Sequence, residues 1–187
     1  VTQAPGAPRK ARRPAVELRI EPVWRCMTPE LRAELLAFWS QHHAVRAERA
    51  EERADQAVCF GRDAQGELCA VSTAVLRVLP RLRQPMYYYR TFLTKSVRGQ
   101  GHVIPMHNRS RETLQAYNRT LPAPEGLGLL LELESTFLST YYKRAYVAEA
   151  DSVFIGYSPR GLQLRVSYFD DAVLLPPTPV PGLPPAG

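Results

Sequence analysis

The segment from Met86 to Ser135 constrains this chain more than any other. It opens on "MYYYRTFLT", an apolar run of strand length rich in aromatic residues, and closes on a second such run, "LGLLLELES". Between them lies a glycine-bearing break, "KSVRGQG", followed by a stretch whose spacing predicts a helix from about Val103 to Asn118. Two buried strands with a helix between them need a crossover. The economical solution is a right-handed βαβ unit with those two strands parallel. Such a unit places the start of a helix at the end of its first strand.

The surrounding elements set the fold class. "VELRIEPVW" from Val16 alternates as a strand. "TPELRAELLAFWSQHHAV" reads as a helix, with Thr28 as N-cap, Pro29 at the first helical position and Glu30 in the first turn. Leu31, Leu35, Phe38, Trp39 and His42 make its apolar face. "RAERAEERADQ" continues that helix or forms a second, exposed one. "AVCFG" and "LCAVSTAVLRVL" are strands joined by the turn "RDAQGE". After the βαβ unit come a short helix, "TFLSTYYKRAY", and a strand pair, "SVFIGYS" and "LQLRVSYFDDAVLL", around Pro159–Gly161. The order β, α, β, β, β, α, β, α, β, β mixes hairpins with crossovers. It specifies an α/β chain with a mixed sheet, neither doubly wound nor a sandwich.

A length of 187 residues suits one domain, expected over residues 15–175. Residues 1–14 read as a flexible basic arm, and the Pro-rich tail from Pro176 is expected to be disordered. The net charge is +6, and Arg9, Lys10, Arg12 and Arg13 supply much of it. A solvated arm is the expectation, and nucleic acid is not an expected partner. No apolar run reaches the roughly 20 residues of a membrane helix, and the start has no secretory apolar region. Cys26, Cys59 and Cys69 are odd in number and lack metal-ligand spacing. A reducing, cytoplasmic location fits them, with Cys59 and Cys69 as buried thiols close across one hairpin. No metal site is expected. A monomer and a homodimer both remain open.

The break after the first strand of the βαβ unit has a chemical reading. A helix N-terminus offers unpaired N–H groups and a positive dipole end. Gly99 and Gly101 let an anion approach the backbone, and Arg98 adds a fork of donors suited to phosphate. A pyrophosphate is the natural guest.

These residues carry a family resemblance. "VRGQGHV" resembles the acyl-CoA-binding motif of the GNAT superfamily of N-acyltransferases: Arg or Gln, two residues, Gly, one residue, Gly or Ala. Arg98 and Gly101 match, and Val103 stands where the motif ends on a small residue. "YYKRAY", Tyr141 to Tyr146, resembles the family's Tyr-x-Lys-x-Gly-Phe segment, with Ala145 for Gly and Tyr146 for Phe. Glu134 occupies a position where the family often carries Asn. The resemblance covers roughly Val16 to Leu175. It implies a GNAT-like fold: a mostly antiparallel sheet, one splayed parallel strand pair and flanking helices. It also implies transfer of an acyl group from acetyl-CoA or a longer acyl-CoA to a primary amine. The ending "FIGYSPRGLQLRVSYFDDAVLL" resembles enzymes of this type that acylate amine side chains of ribosomally made peptides with fatty acids. In that version the donor is an acyl-carrier protein and the acceptor a Lys-like side chain.

The candidate site follows. Phe92, Leu93 and Thr94 would offer backbone groups to the pantetheine arm, as that part of the strand does in the family. Arg98, Gly99, Gln100, Gly101, His102 and Val103 would hold the diphosphate. Tyr141, by its motif match, would protonate the leaving thiolate, with Tyr142 as the alternative. Glu132 and Glu134 lie two apart on one strand face and are candidates to take the amine's proton, Glu134 being nearer the cleft end. Tyr88 and Arg90 share the face opposite Tyr87 and Tyr89 and would meet the acceptor, as would His42. The competing expectation is a non-catalytic CoA-binding or scaffold module that kept the fold.

Overall fold

The structure, a computed structural model, describes residues 16–179. Arg9, Lys10, Arg12, Arg13 and the tail from Val180 lie outside the described residues. The elements in chain order are β1 (Arg19–Pro22), α1 (Pro29–His42), α2 (Ala47–Ala54), β2 (Ala57–Arg62), β3 (Leu68–Val78) and β4 (Pro85–Leu93). Then come α3 (Val103–Asn118), β5 (Gly128–Glu132), α4 (Thr136–Tyr141), β6 (Tyr146–Val147), β7 (Ser152–Tyr157) and β8 (Gln163–Tyr168). The strands form one sheet in the order β1-β2-β3-β4-β5-β8-β7-β6. β4 and β5 run parallel, while the other neighbours are antiparallel. The fold is therefore a mixed α/β architecture with one parallel pair, bridged by α3.

Local sequence accounts for the helices on each face. Thr28 Oγ1 accepts the Leu31 amide at 3.3 Å, and Pro29 follows at the first helical position. His43 adopts a left-handed conformation with φ 49°, which ends α1 and makes α2 a separate helix. Leu35, Phe38 and Trp39 of α1 are buried with Phe60 and Val71 on one face of the sheet, and Phe92 packs against them. On the other face Met106 and Leu114 of α3 meet Tyr87, Tyr89, Leu93 and Leu129. The Ser72 and Ser110 hydroxyls, 2.8 Å apart, tie β3 to α3 in that interior. The tyrosines of β4 alternate between the two faces, and Tyr88 joins Met86, Leu130 and Val166 on the α1 side.

Three expectations are refined by tertiary contacts. The helix expected through Tyr146 stops at Tyr141, and Tyr146 instead pairs with Val153 in β6–β7. The edge of β7 draws the chain out of the helix, since the Phe154 amide donates to the Ala145 carbonyl at 2.7 Å. β8 ends at Tyr168, because Asp170 and Asp171 turn toward α3 and pair with Arg111 and Arg119. Cys59 stands opposite Ser72 rather than Cys69, and all three cysteines are free thiols. Beyond β8, Leu175 exchanges hydrogen bonds with the Gln84 side chain at 2.9 and 2.8 Å. The Thr178 amide donates to the Arg83 carbonyl at 2.9 Å.

Arg165 on β8 holds the segment after α4. Only 2% of it is exposed. Its guanidinium donates to the carbonyls of Arg144 at 2.9 Å, Ala145 at 3.0 Å and Ser152 at 3.2 Å. Burial pushes its pKa down, yet a guanidinium stays protonated in proteins, and carbonyl dipoles replace its hydration. Arg165→Leu keeps much of the volume and leaves these carbonyls without their donor. It is expected to lower unfolding free energy by about 3 kcal/mol in urea titrations.

Candidate active site

The site begins where the parallel pairing ends. β4 and β5 pair at Tyr87↔Leu129, Tyr88↔Leu130 and Tyr89↔Leu131 and no further. Past that point β4 continues along β3 to Leu93↔Ala70, while β5 continues along β8 to Glu132↔Leu164. A wedge opens between the two strands. The Thr94 amide donates to the Cys69 carbonyl at 2.9 Å, which fixes the phase of the β3–β4 ladder. By the alternation of an antiparallel pair, Phe92 and Thr94 turn their backbone groups to β3. Thr91 and Leu93 turn theirs into the wedge. Of Phe92, Leu93 and Thr94, only Leu93 therefore offers main chain there. Thr94 is further engaged, since its carbonyl accepts the amides of Val97 at 3.2 Å and Arg98 at 3.0 Å. Thr91, which sequence reasoning did not single out, turns its main chain the same way as Leu93.

The R-G-Q-G junction lies at the mouth of this wedge. Gly99 and Gly101 have φ +79° and +91°, left-handed values that account for both glycines. Apart from the adjoining residues of the chain, no heavy atom of the described residues lies within 4 Å of the position a Cβ would occupy on either. Among the described residues no side chain caps the start of α3. The Gln100 amide is taken by the Val97 carbonyl at 3.3 Å, whereas the amides of Gly99, Gly101 and His102 have no partner among the described residues. The Gln100 side chain is structural: its Oε1 accepts the Val16 amide at 2.7 Å and its Nε2 donates to the Ser96 carbonyl at 2.6 Å. Exposed Arg98 folds back along the strand, with Nη2 donating to the Leu93 carbonyl at 2.9 Å and the guanidinium 5.8 Å from the Phe92 ring centre. His102 Nε2 is buried without a partner among the described residues, and Val103 packs on the core.

On the α1 side of the sheet the structure brings four candidates together. The Tyr88 hydroxyl donates to Glu132 Oε2 at 2.6 Å and accepts from Arg90 Nη2 at 3.4 Å. Arg160 spans both carboxylates, 2.8 Å from Glu132 and 2.9 Å from Glu134. Burial works to raise the Glu132 carboxyl. Hydrogen bonds from Arg160, Ser158 and Tyr88 and the Arg160 charge outweigh it and hold the group at about 2. A carboxyl that acidic is a weak proton acceptor at neutral pH. Burial, with the bond to Glu132, pushes the Tyr88 phenol up, so it remains a donor. His42 stands apart from this group, its ring 4.8 Å from Phe38 and 6.1 Å from Phe92 between centres.

Tyr141 ends α4 with 71% of its surface exposed and its ring 5.1 Å from that of Tyr142. Tyr142 is half-buried, and burial pushes its phenol up. The Ser139 carbonyl accepts Gln163 Nε2 at 3.0 Å, which ties α4 to β8 beside β5. On the α3 face, three buried polar atoms near the wedge have no partner among the described residues: Tyr89 Oη, Thr91 Oγ1 and His107 Nε2. The His107 ring meets Tyr89 edge-on at 5.7 Å, and burial pushes its pKa down, which favours the neutral ring. Thr91 and His107 carry no signal of this in the sequence, since only the fold buries their polar ends on the face that holds Tyr89.

No protein-family model matches the chain, and no curated protein matches it. Solved structures do. An acetyltransferase of the GNAT family from Streptococcus pneumoniae aligns over 82% of this chain and 100% of its own, with 14% identity and a TM-score of 0.50. A GNAT-family acetyltransferase from Listeria monocytogenes 4b F2365 aligns over 82% and 96%, with 13% identity and a TM-score of 0.47. Spermidine N-acetyltransferase from Vibrio cholerae aligns over 81% and 92%, with 13% identity and a TM-score of 0.48. The chain thus has the fold of the GNAT acetyltransferases, as its element order leads one to expect.

Glu132 makes the site's electrostatics measurable. Its folded-state value of about 2 lies below the ordinary 4.5. Its contribution to stability is therefore complete above the ordinary carboxyl range and fades as pH falls from there toward the folded value. Tyr88→Phe removes one donor. Carboxyl-detected NMR is expected to show the Glu132 midpoint rising by about one unit in that variant.

Proposed function

We propose that this protein is an N-acyltransferase that moves an acyl group, acetyl or a longer fatty acyl, from a CoA thioester to a primary amine. The observation that carries the reading is the uncapped start of α3 at the mouth of the β4–β5 wedge, with the amides of Gly99, Gly101 and His102 unengaged. Those N–H groups and the helix dipole suit a diphosphate. The orphaned Thr91 Oγ1 and Tyr89 Oη supply buried polar ends beside the path a pantetheine arm would take.

Bound CoA thioester supplies an activated acyl carbon, and the chain's own groups do the rest. Backbone groups of Thr91 and Leu93 hydrogen-bond the pantetheine amides as an added strand would. Arg98 exchanges its bond to the Leu93 carbonyl for phosphate oxygens. Tyr88, held by Glu132 and Arg90, orients the acceptor amine at the α1 side of the wedge. Glu134, exposed and in contact with Arg160, receives the amine's proton through water. The amine nitrogen bonds to the acyl carbon, the carbon–sulfur bond breaks, and Tyr141 donates its phenolic proton to the thiolate. An amine side chain of a peptide fits this chemistry as well as a small amine does, and a carrier-protein thioester would present the same pantetheine arm.

Calorimetry and release of free thiol test the reading. Arg98→Ala is expected to raise the CoA dissociation constant about tenfold. Tyr141→Phe is expected to lower turnover roughly a hundredfold with CoA affinity within about twofold of the original. Unchanged CoA affinity in the first variant contradicts the phosphate role. Intact CoA binding with no thiol released over a panel of amines would leave a non-catalytic module.

A further inference from the structure

A groove of about 460 Å³ lies on the α1 side of the sheet, lined by five arginines and one glutamate. That volume falls within the range of small-molecule sites. Arg46, Arg49 and Arg53 enter it from the start and length of α2, spaced by three and four so that they share one helical face. Arg77 and Arg90 enter from β3 and β4. The strand register sets Thr73 opposite Arg90 and Val75 opposite Tyr88, so the floor is one continuous patch that includes Tyr88.

Few carboxylates face the arginines of the groove, whereas other arginines are paired with an acid or, like Arg98 and Arg165, with backbone carbonyls. Arg19, Arg32, Arg62, Arg111, Arg119 and Arg160 each meet a carboxylate. In the groove only Arg49 does, at 3.7 Å from Glu52 on its own helix. Arg46, Arg53, Arg77 and Arg90 have no carboxylate within 4.0 Å among the described residues. Helix α2 sorts its charges, and Glu51 on its other side faces Arg32 on α1. The sheet side adds two more cations. Guanidinium groups gathered in this way repel one another, and anionic oxygens relieve that repulsion.

The groove is continuous with the proposed chemistry. Tyr88 is both its floor and the donor to Glu132 at the wedge. We propose that the groove binds the anionic portion of the acceptor: a small amine or short peptide segment carrying two or more carboxylate or phosphate groups near the amine that is acylated. This rests on the N-acyltransferase reading. Single-stranded nucleic acid fits less well, because its bases need an open aromatic face. The Tyr88 ring is covered by Arg90 at 4.8 Å and Arg77 at 5.2 Å. A polyamine would meet like charge.

The test uses the full chain saturated with CoA, so that the start of α3 is occupied. Binding of N-acetyl-Glu-Glu, of phosphoserine, of spermidine and of a short RNA is measured by calorimetry. In parallel, thiol release from acetyl-CoA is followed with Lys-Glu-Glu, lysine amide and spermidine as acceptors. The expected result is binding of an acidic probe and preference for Lys-Glu-Glu. Arg46→Gln and Arg77→Gln, both at exposed positions, are each expected to weaken acidic-probe affinity about tenfold and leave CoA affinity unchanged. The dipeptide and phosphoserine arms separate carboxylate from phosphate recognition. Spermidine turned over as well as Lys-Glu-Glu, RNA bound in preference to both acidic probes, or acidic-probe affinity unaltered in both variants overturns the groove proposal while leaving acyl transfer standing. Arginine-dependent binding of an acidic probe without thiol release from any acceptor leaves the groove standing and removes acyl transfer.

Discussion

The rest of the structure depends on where one strand pair comes apart. β4 and β5 share only three registered positions, the last at Tyr89 and Leu131. Each then follows its other neighbour, β4 along β3 and β5 along β8. Because both strands keep a full ladder on their outer edges, the opening between them leaves few main-chain groups to satisfy. Those that remain, on Thr91 and Leu93, are the groups a strand-like ligand would use. The helix that crosses between the two strands then starts at the open end, with its first amides uncapped.

Tyr88 joins the two halves of the site. Its ring lies under Arg77 and Arg90, and its hydroxyl reaches Glu132 across the sheet. Opposing effects meet at that carboxyl. Desolvation favours the neutral acid, but the donors from Arg160, Ser158 and Tyr88 favour the anion and prevail. The outcome is a fixed negative charge that holds Tyr88 in place, with Glu134 left as the more accessible carboxylate of the pair.

The βαβ unit was legible from Met86 to Ser135 because strand and helix periods follow one another there without interruption. The glycines of the junction were legible as a break between strand and helix, while their left-handed conformations came only with the structure. The alternation of Tyr87, Tyr88 and Tyr89 gave the two faces of β4, and the structure places these side chains on those faces. The end of the parallel pairing was not legible. It is set by the competition between β8 and β4 for β5, and that register is long-range. The same holds for the end of α4, where Arg165, some 20 residues away in sequence, anchors the carbonyls of Arg144 and Ala145. Glu132 read as an available base because its partner Arg160 lies 28 residues further on. The segment of α2 read only as an exposed helix, and that its arginine face meets Arg77 and Arg90 required the tertiary fold.

Arg98 stands at rest with its guanidinium on the Leu93 carbonyl, at the edge of the opening. An arginine side chain free in water has about 2 kcal/mol of rotamer entropy to lose when it is ordered. Here folding has already confined it, and its remaining N–H groups stay exposed. An arriving anion would thus meet a cation already restrained at the threshold. Part of the entropic penalty of recognition was met when the chain folded.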